Sequence, residues 1–214
     1  MIALDHVTLG TSSLAAGIAA VRDVLGIEIP PGGKHPDMST HNRVVNVGES
    51  RFLELIAVDP DAPAVPHKRW FGLDDPAVQA RIATAPRGVG WVVRTDDLDR
   101  VIAASPVDLG EARRMSRGER NWRLTVPDAG AMPYDGLVPG FIEWSPGPHP
   151  SAGMQFLGPV LDGIEMRHPK ADELREVLRK LGVLDLVAVL EPAATASLAY
   201  RFRLADGGVR TLGA

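Results

Sequence analysis

The alternation of hydrophobic and polar positions predicts a β-α-β-β-β order of elements in the first part of the chain. Residues 2–9 alternate and are rich in strand-forming types, and apolar residues then recur at helical spacing over residues 14–25. Thr11-Ser12-Ser13 offers N-caps for that helix, and Gly26 provides a stop. The other strands are predicted over residues 27–29, 42–47 and 51–58, with a loop from Pro30-Pro31-Gly32-Gly33 to about Met38.

The same order of elements is predicted twice more. The second copy has a strand over 88–95, a helix over 98–104 and strands over 107–109, 121–126 and 141–144. The third copy has a strand over 160–166, a helix over 171–181 and strands over 186–190, 197–204 and 209–212. A proline-rich insertion, residues 59–87, separates the first two copies and contains a predicted short helix around residues 76–83.

This recurrence predicts an α+β fold in which repeated βαβββ units form curved mixed sheets around a cavity. Units 1–58 and 88–145 are expected to pair into one module spanning residues 1–150. Residues 151–214 are expected to form a third βαβββ-like unit beside it.

Composition narrows the function classes. The 214 residues include no cysteine, which excludes thiolate chemistry and cysteine-bound zinc. A formal charge of -4 and the absence of a basic stripe argue against a nucleic-acid partner. No apolar run approaches a membrane span, and the first residues do not resemble a signal peptide, so we expect a cytoplasmic protein.

Polar residues on strands expected to face inward are the candidates for chemistry. His6 lies in the first strand, and Glu54 lies in the last strand of the first unit. A gapless comparison of the units places Gly90 at the position of His6, and the segment Phe141-Ile142-Glu143-Trp144 matches Phe52-Leu53-Glu54-Leu55. A carboxylate on a covered strand face is costly unless it is paired or bound to a metal, so a shared site is predicted.

Several segments together resemble the bacterial glyoxalase-like domain family of the vicinal oxygen chelate superfamily. They are Pro31-Gly32-Gly33-Lys34-His35-Pro36, Thr40-His41-Asn42, Phe52-Leu53-Glu54-Leu55-Ile56, Phe71-Gly72-Leu73, residues 91–98, Trp122-Arg123-Leu124, Ile142-Glu143-Trp144 and His149-Pro150. The superfamily includes glyoxalase I, extradiol dioxygenases, epimerases and drug-sequestering proteins. Its metal ligands commonly come from the first and last strands of both units.

The resemblance implies a site and a chemistry. The metal ligands would be His6, Glu54 and Glu143, holding one divalent ion (Zn, Fe, Mn or Ni), although Gly90 departs from the family's ligand set. The protein would act on a small organic molecule as a metal-dependent lyase, isomerase or dioxygenase. His41 and Glu143 would be catalytic, and the expected substrate-binding residues are His35, Asn42, Trp91, Trp122 and Trp144.

Other interpretations of the same residues stay open. His6 could be a hydrogen-bonded core histidine, and Glu54 could pair with Arg43 or Arg94. The tryptophans could belong to the core. The alternative function is a metal-free protein that binds or sequesters a small molecule, with no cofactor. The expected partners are a small-molecule ligand and, as a candidate assembly, a second copy in a homodimer, with no nucleic acid and no membrane.

Overall fold

The computed structural model describes residues 1–214 and contains twelve strands and four α-helices. The strands are β1 (Ile2–Gly10), β2 (Pro31–His35), β3 (Thr40–Asn46), β4 (Phe52–Val58), β5 (Arg87–Thr95), β6 (Glu111–Arg117), β7 (Arg120–Val126), β8 (Gly140–Trp144), β9 (Val160–His168), β10 (Val189–Pro192), β11 (Ser197–Arg203) and β12 (Val209–Leu212). The helices are α1 (Leu14–Leu25), α2 (Pro76–Thr84), α3 (Leu98–Ala104) and α4 (Ala171–Lys180). None of these helices has the length and apolar character that a membrane crossing requires.

The first two units join into one eight-stranded sheet in the order β2-β3-β4-β1-β5-β8-β7-β6. At its centre β1 runs antiparallel to β5, and each of these strands pairs in parallel with the last strand of its own unit. The predicted α+β class and the pairing of two βαβββ units around a curved sheet are therefore confirmed.

Curling of the sheet brings its two edge strands together. A Cβ atom placed on Gly33 of β2 would lie 2.9 Å from Nη1 of Arg117, which ends β6 at the other edge. The missing side chain at Gly33 is what allows this close approach. The inner face of the sheet is thus enclosed between its two edges.

Helix α1 covers the outer face of the first unit. The Ser13 side chain caps its first turn by accepting from the Ala16 N–H, and Gly26 ends it with φ of 70°. Gly17 allows the helix to approach β4, because a Cβ there would lie 2.5 Å from Cδ1 of Leu55. Leu55 therefore faces the helix, which turns its strand neighbour Glu54 toward the inner face.

The third segment has the predicted order of elements but a different pairing of strands. Its sheet has the order β10-β9-β11-β12, so its first strand, β9, lies between its second and third strands. In the first unit the first strand pairs instead with the last. Alternation along a strand defines its faces but not its neighbours, so the sequence pattern could not separate these two arrangements.

Residues of the third segment share one hydrophobic cluster with the eight-stranded sheet, including Ile164, Phe202 and Tyr200. The Tyr200 hydroxyl lies 2.9 Å from the carbonyl oxygen of Thr8 and 2.6 Å from that of Gly90. These carbonyls adjoin a register shift between β1 and β5, where the ladder is irregular. The division of the chain at residue 150 stays a prediction.

Three predicted strand positions were wrong. The strand expected over residues 27–29 is β2 at Pro31–His35, so the Pro-Gly run that was predicted to be a loop is itself the strand. The strand expected over 107–109 is β6 at Glu111–Arg117, and the strand expected over 186–190 begins only at Val189 after a 3-10 turn. The short helix predicted in the insertion is α2.

Candidate functional site

The inner face of the curled sheet lines a cavity of about 550 Å³, a volume that includes its open mouth. Its polar lining residues are His6, His35, Asn42, Glu54, Arg117 and Arg120. Its aromatic lining residues are Phe52, Trp70, Phe71, Trp122 and Trp144. An apolar concave surface with a few converging polar groups is the usual form of a small-molecule site.

The alternation of β4 places Glu54 in this cavity. Phe52 and Glu54 line it, whereas Leu53 and Leu55 belong to the hydrophobic core on the other face of the strand. Glu54 is 6% exposed. Its Oε1 accepts from the side-chain amide of Asn42 at 2.7 Å, and its Oε2 lies 3.4 Å from Oγ1 of Thr8. A buried carboxylate is thus held by neutral donors on the two adjacent strands, without a salt bridge to an arginine or lysine.

His6 is held beside Glu54 by the preceding residue. Nδ1 of His6 lies 2.6 Å from Oδ1 of Asp5, and a register shift between Leu4 and His6 marks an irregularity in the ladder at Asp5. The imidazole stacks on Phe52 with ring centroids 4.4 Å apart. Its Nε2 is 3.7 Å from Oε2 of Glu54, which is too long for a direct hydrogen bond.

Asp5 is fully buried and accepts three hydrogen bonds. Besides His6, Nε2 of His149 lies 2.9 Å and Nε1 of Trp144 lies 2.8 Å from Oδ2. Burial alone would raise the pKa of Asp5, but the hydrogen bonds from His149, His6 and Trp144 outweigh burial and hold that pKa well below its usual range. An ionised carboxylate only accepts, so Nδ1 of His6 donates to Asp5, and in the neutral ring Nε2 is the nitrogen that can accept a proton.

His35 lines the same cavity beside Asn42, with its Nε2 3.5 Å from Nδ2 of Asn42. Burial lowers the pKa of His35 to about 4, while nearby Glu54 opposes the shift and Arg117 adds to it. Its Nδ1 lies 3.1 Å from Oγ1 of Thr40, and its ring meets the Trp70 ring edge-on with centroids 4.9 Å apart. The His35 ring is therefore neutral at neutral pH.

The glyoxalase-like domain family model matches residues 4–182, which is most of the chain. The chain belongs to the glyoxalase-like domain family. Membership explains the paired βαβββ units and the cavity that they enclose, and it confirms the vicinal oxygen chelate fold expected from the sequence.

Solved structures with a similar fold have distant sequences. A hypothetical protein from Staphylococcus aureus matches with a TM-score of 0.66 and 13% identity, covering 99% of this chain and 98% of its own. Methylmalonyl-CoA epimerase from Mycobacterium tuberculosis matches with a TM-score of 0.42 and 21% identity, covering 70% of this chain and 91% of its own. No protein of curated function matches this glyoxalase-like chain significantly.

Glu143 does not join His6 and Glu54, and the prediction that the three share a site was wrong. Ile142 and Trp144 line the cavity, so Glu143 between them faces the opposite side of β8. There its Oε2 accepts from the backbone N–H of Leu98 and from Nη2 of Arg123, each at 2.8 Å. Glu143 ties α3 to the sheet.

The strand register explains the error. Thr8 pairs with Glu54 in the first unit. The gapless comparison that matches His6 with Gly90 also matches Thr8 with Val92, and Val92 pairs with Gly140 in the second unit. The counterpart of Glu54 is thus Gly140, three residues before Glu143. An odd shift moves a side chain to the other face of the sheet.

Two further predicted site residues lie outside the cavity. Trp91 is fully buried in the core, and its indole N–H donates to the Leu137 carbonyl oxygen at 2.9 Å. His41 precedes Asn42 on β3 and so faces away from the cavity, which removes the catalytic role expected for it. The predicted substrate-binding residues His35, Asn42, Trp122 and Trp144 do line the cavity, although no ligand contact tests their role.

The residues present do not fit the metal site that the resemblance implied. No three His, Asp or Glu side chains in the chain are grouped as a metal ion requires. Glu143 faces away, and the remaining family position, Gly90, is covered by a ring: a Cβ there would lie 2.6 Å from Cδ1 of Phe71. Phe71 comes from the insertion and has φ of 57°. An apolar side chain thus occupies the space of a fourth ligand.

Asp5 and Arg117 are among the site residues that sequence reasoning missed. The sequence does contain one sign that Asp5 belongs to the site, because it is an acidic residue next to His6 in a mainly apolar strand. The sequence contains no such sign for Arg117, because it lies in a run of arginines interrupted by Glu111 and Glu119 that is typical of a solvated surface. Only curling of the sheet brings it to the cavity.

Proposed function

We propose that the protein is an enzyme that moves a proton within a small organic molecule bound in the cavity, as an isomerase or a lyase. The observation that carries the proposal is the arrangement of Asp5, His6 and Glu54, in which the accepting Nε2 of His6 faces the cavity beside a buried carboxylate.

The steps follow from the chemistry of these groups. His6 Nε2 would take a proton from a carbon of the substrate, leaving the electron pair on the substrate. The resulting imidazolium would be stabilised by ionised Asp5 at Nδ1 and by Glu54 near Nε2. The proton would then return to another atom of the same molecule in an isomerase, or to a leaving group in a lyase. These steps involve no metal ion, because the predicted metal ligands do not converge on one site.

The aromatic wall supports the binding part of the proposal. The Trp122 and Trp144 rings lie 5.3 Å apart at 46°, and Phe52 and Phe71 line the same cavity. Aromatic side chains provide large, rigid, apolar contact surfaces for a flat ligand. Exclusion of water around His6 and Glu54 would strengthen their electrostatic effect.

Deuterium exchange tests the proposal. Small oxo acids and their amides would be incubated with the protein in D₂O containing EDTA, and loss of C–H signals would be followed by NMR. We expect protein-dependent exchange for at least one compound, and a loss of about 10²–10⁴-fold in the His6→Gln variant. The control is His67→Gln, because His67 does not line the cavity. Equal exchange by both variants would reject the role of His6.

A second candidate function is binding without turnover. It is favoured by Phe71, which fills the family's ligand position and leaves a cavity with a mainly apolar wall. A ligand that raises the melting temperature equally with and without EDTA, and that is recovered unchanged and unexchanged, would support this candidate over the enzyme.

A further inference from the structure

Two residues that line the cavity each have a buried N–H group without a hydrogen-bond acceptor. The two groups are Nη1 of Arg117 and Nε1 of Trp70. A buried donor without an acceptor costs about 1–3 kcal/mol, so such groups are rare without a reason. A ligand that supplies acceptor atoms would remove this cost.

Arg117 is also a cation without a counter-ion. Two arginines of the same hairpin are paired, Arg113 with Asp128 and Arg123 with both Asp99 and Glu143, whereas Arg114 and Arg120, like Arg117, are not. The Arg117 guanidinium instead lies against the Gly33 backbone, where a Cβ would be 2.9 Å from Nη1. The close approach of the two sheet edges buries Nη1 of this partly exposed residue.

The two donors flank the same neutral residue. The ring of His35 contacts Trp70, and the charge of Arg117 contributes to the low pKa of His35. Because His35 is neutral, it neither offsets nor adds to the charge of Arg117. The buried carboxylate of the cavity, Glu54, is hydrogen-bonded to Asn42 rather than paired with Arg117.

We propose that the end of the cavity formed by Arg117 and Trp70 binds a carboxylate, so that the ligand is a small carboxylic acid with a flat apolar body. The inference rests on the proposed function, in that a small molecule occupies this cavity. Two N–H donors, one of them cationic, match the two oxygens of a carboxylate. The apolar body would lie along the tryptophan and phenylalanine wall toward His6 and Glu54.

Calorimetric titration with matched acids and amides tests the inference. The probes are benzoate, phenylacetate and 3-phenylpropanoate, their primary amides, and phenylphosphonate, all at pH 7.5 with EDTA. We expect at least one acid to bind about tenfold or more tightly than its amide, the ratio expected for a hydrogen bond to a charged group. Equal binding of acids and amides, no binding of any acid, or tighter binding of the phosphonate would overturn the carboxylate assignment.

Variants of Arg117 and Trp70 test whether these residues cause the preference for acid over amide. Arg117→Gln is expected to lose the preference for acid over amide, whereas Arg114→Gln is expected to keep it, because Arg114 is an exposed residue of the same strand outside the cavity. Trp70→Phe keeps an aromatic ring and removes the N–H, and should reduce the preference severalfold even if Arg117→Gln fails to fold. An unchanged preference in either folded variant would overturn the assignment.

The two proposals fail in different ways. An acid that binds through Arg117 but never exchanges a proton leaves the carboxylate site standing and rejects the proposed reaction. A neutral substrate that His6 turns over, with unchanged kinetics in Arg117→Gln, supports the proposed reaction and rejects the carboxylate site.

Discussion

The ring of Phe71 covers the backbone of Gly90, and a Cβ at Gly90 would lie 2.6 Å from Cδ1 of Phe71. This contact joins a residue of the proline-rich insertion to the position at which the family resemblance implied a metal ligand. The insertion thereby changes the chemistry of the cavity, since it replaces a liganding side chain with an aromatic wall.

The contact between Phe71 and Gly90 predicts non-additive stability changes. Gly90→Ala should lower the free energy of unfolding by about 1–3 kcal/mol, because the added methyl overpacks a dense site. Phe71→Ala should lower it by about 3–5 kcal/mol through loss of a buried ring. The double variant should be more stable than the sum of the two losses implies, because removing the ring makes room for the methyl. Urea denaturation measures all three, and strict additivity would contradict the contact.

The hydroxyl of Tyr200 predicts a cost for its removal. Tyr200→Phe leaves the buried carbonyl oxygens of Thr8 and Gly90 without this donor, so the free energy of unfolding should fall by about 1–3 kcal/mol. Tyr134→Phe is the control, because the hydroxyl of partly exposed Tyr134 forms no hydrogen bond that would be lost. Equal stability of the wild type and Tyr200→Phe would show that the third segment does not brace the centre of the sheet in this way.

His35 predicts a specific pH dependence of stability. Its pKa is about 4 in the folded protein and about 6.5 in the unfolded chain, so between these values the unfolded chain binds more protons. The free energy of unfolding should therefore fall as the pH drops from about 6.5 to about 4, with a His35 contribution of about 1–3 kcal/mol that levels off below pH 4. His35→Gln should lack this contribution and His67→Gln should keep it. An NMR titration that places the His35 pKa near 6.5 would contradict the burial of this ring.

Asp5 is predicted to act through the orientation of His6. Asp5→Asn presents an amide that can donate to Nδ1 of His6, which would move the ring proton to Nε2 and remove the accepting nitrogen from the cavity. We expect turnover to fall by about 10²–10⁴-fold while substrate affinity changes little. His149→Gln is the matched control, because it removes another hydrogen bond of Asp5 and leaves the bond to His6 in place. Similar kinetic losses in both variants would indicate a structural role only.

The sequence pattern placed Glu54 on the strand face that lines the cavity but misplaced Glu143, and both outcomes have physical reasons. Glu54 was found because alternation within a buried strand identifies its inward face. Glu143 was misassigned because the register between strands depends on pairing, which a match between two short segments does not contain, and a shift of three residues reverses the face.

The strand β2 was missed for a different reason. Pro31, Gly32 and Gly33 are residues that usually interrupt strands, yet here the glycines are required by close approach. A Cβ at Gly32 would lie 2.1 Å from the carbonyl oxygen of Asn42, and one at Gly33 would displace Arg117. The first contact lies between the neighbouring strands β2 and β3, whereas the second joins the two edges of the sheet and becomes visible only after the sheet curls.

The most direct test of the account compares Glu54→Gln with Glu143→Gln in the deuterium-exchange assay, with EDTA present throughout. Both residues are strand glutamates of repeated units, but only Glu54 lines the cavity. The account predicts that Glu54→Gln loses exchange by about 10²-fold or more, and that Glu143→Gln keeps near wild-type exchange while its unfolding free energy falls by about 1–2 kcal/mol. Exchange that requires an added divalent metal, or that both substitutions abolish equally, would contradict it.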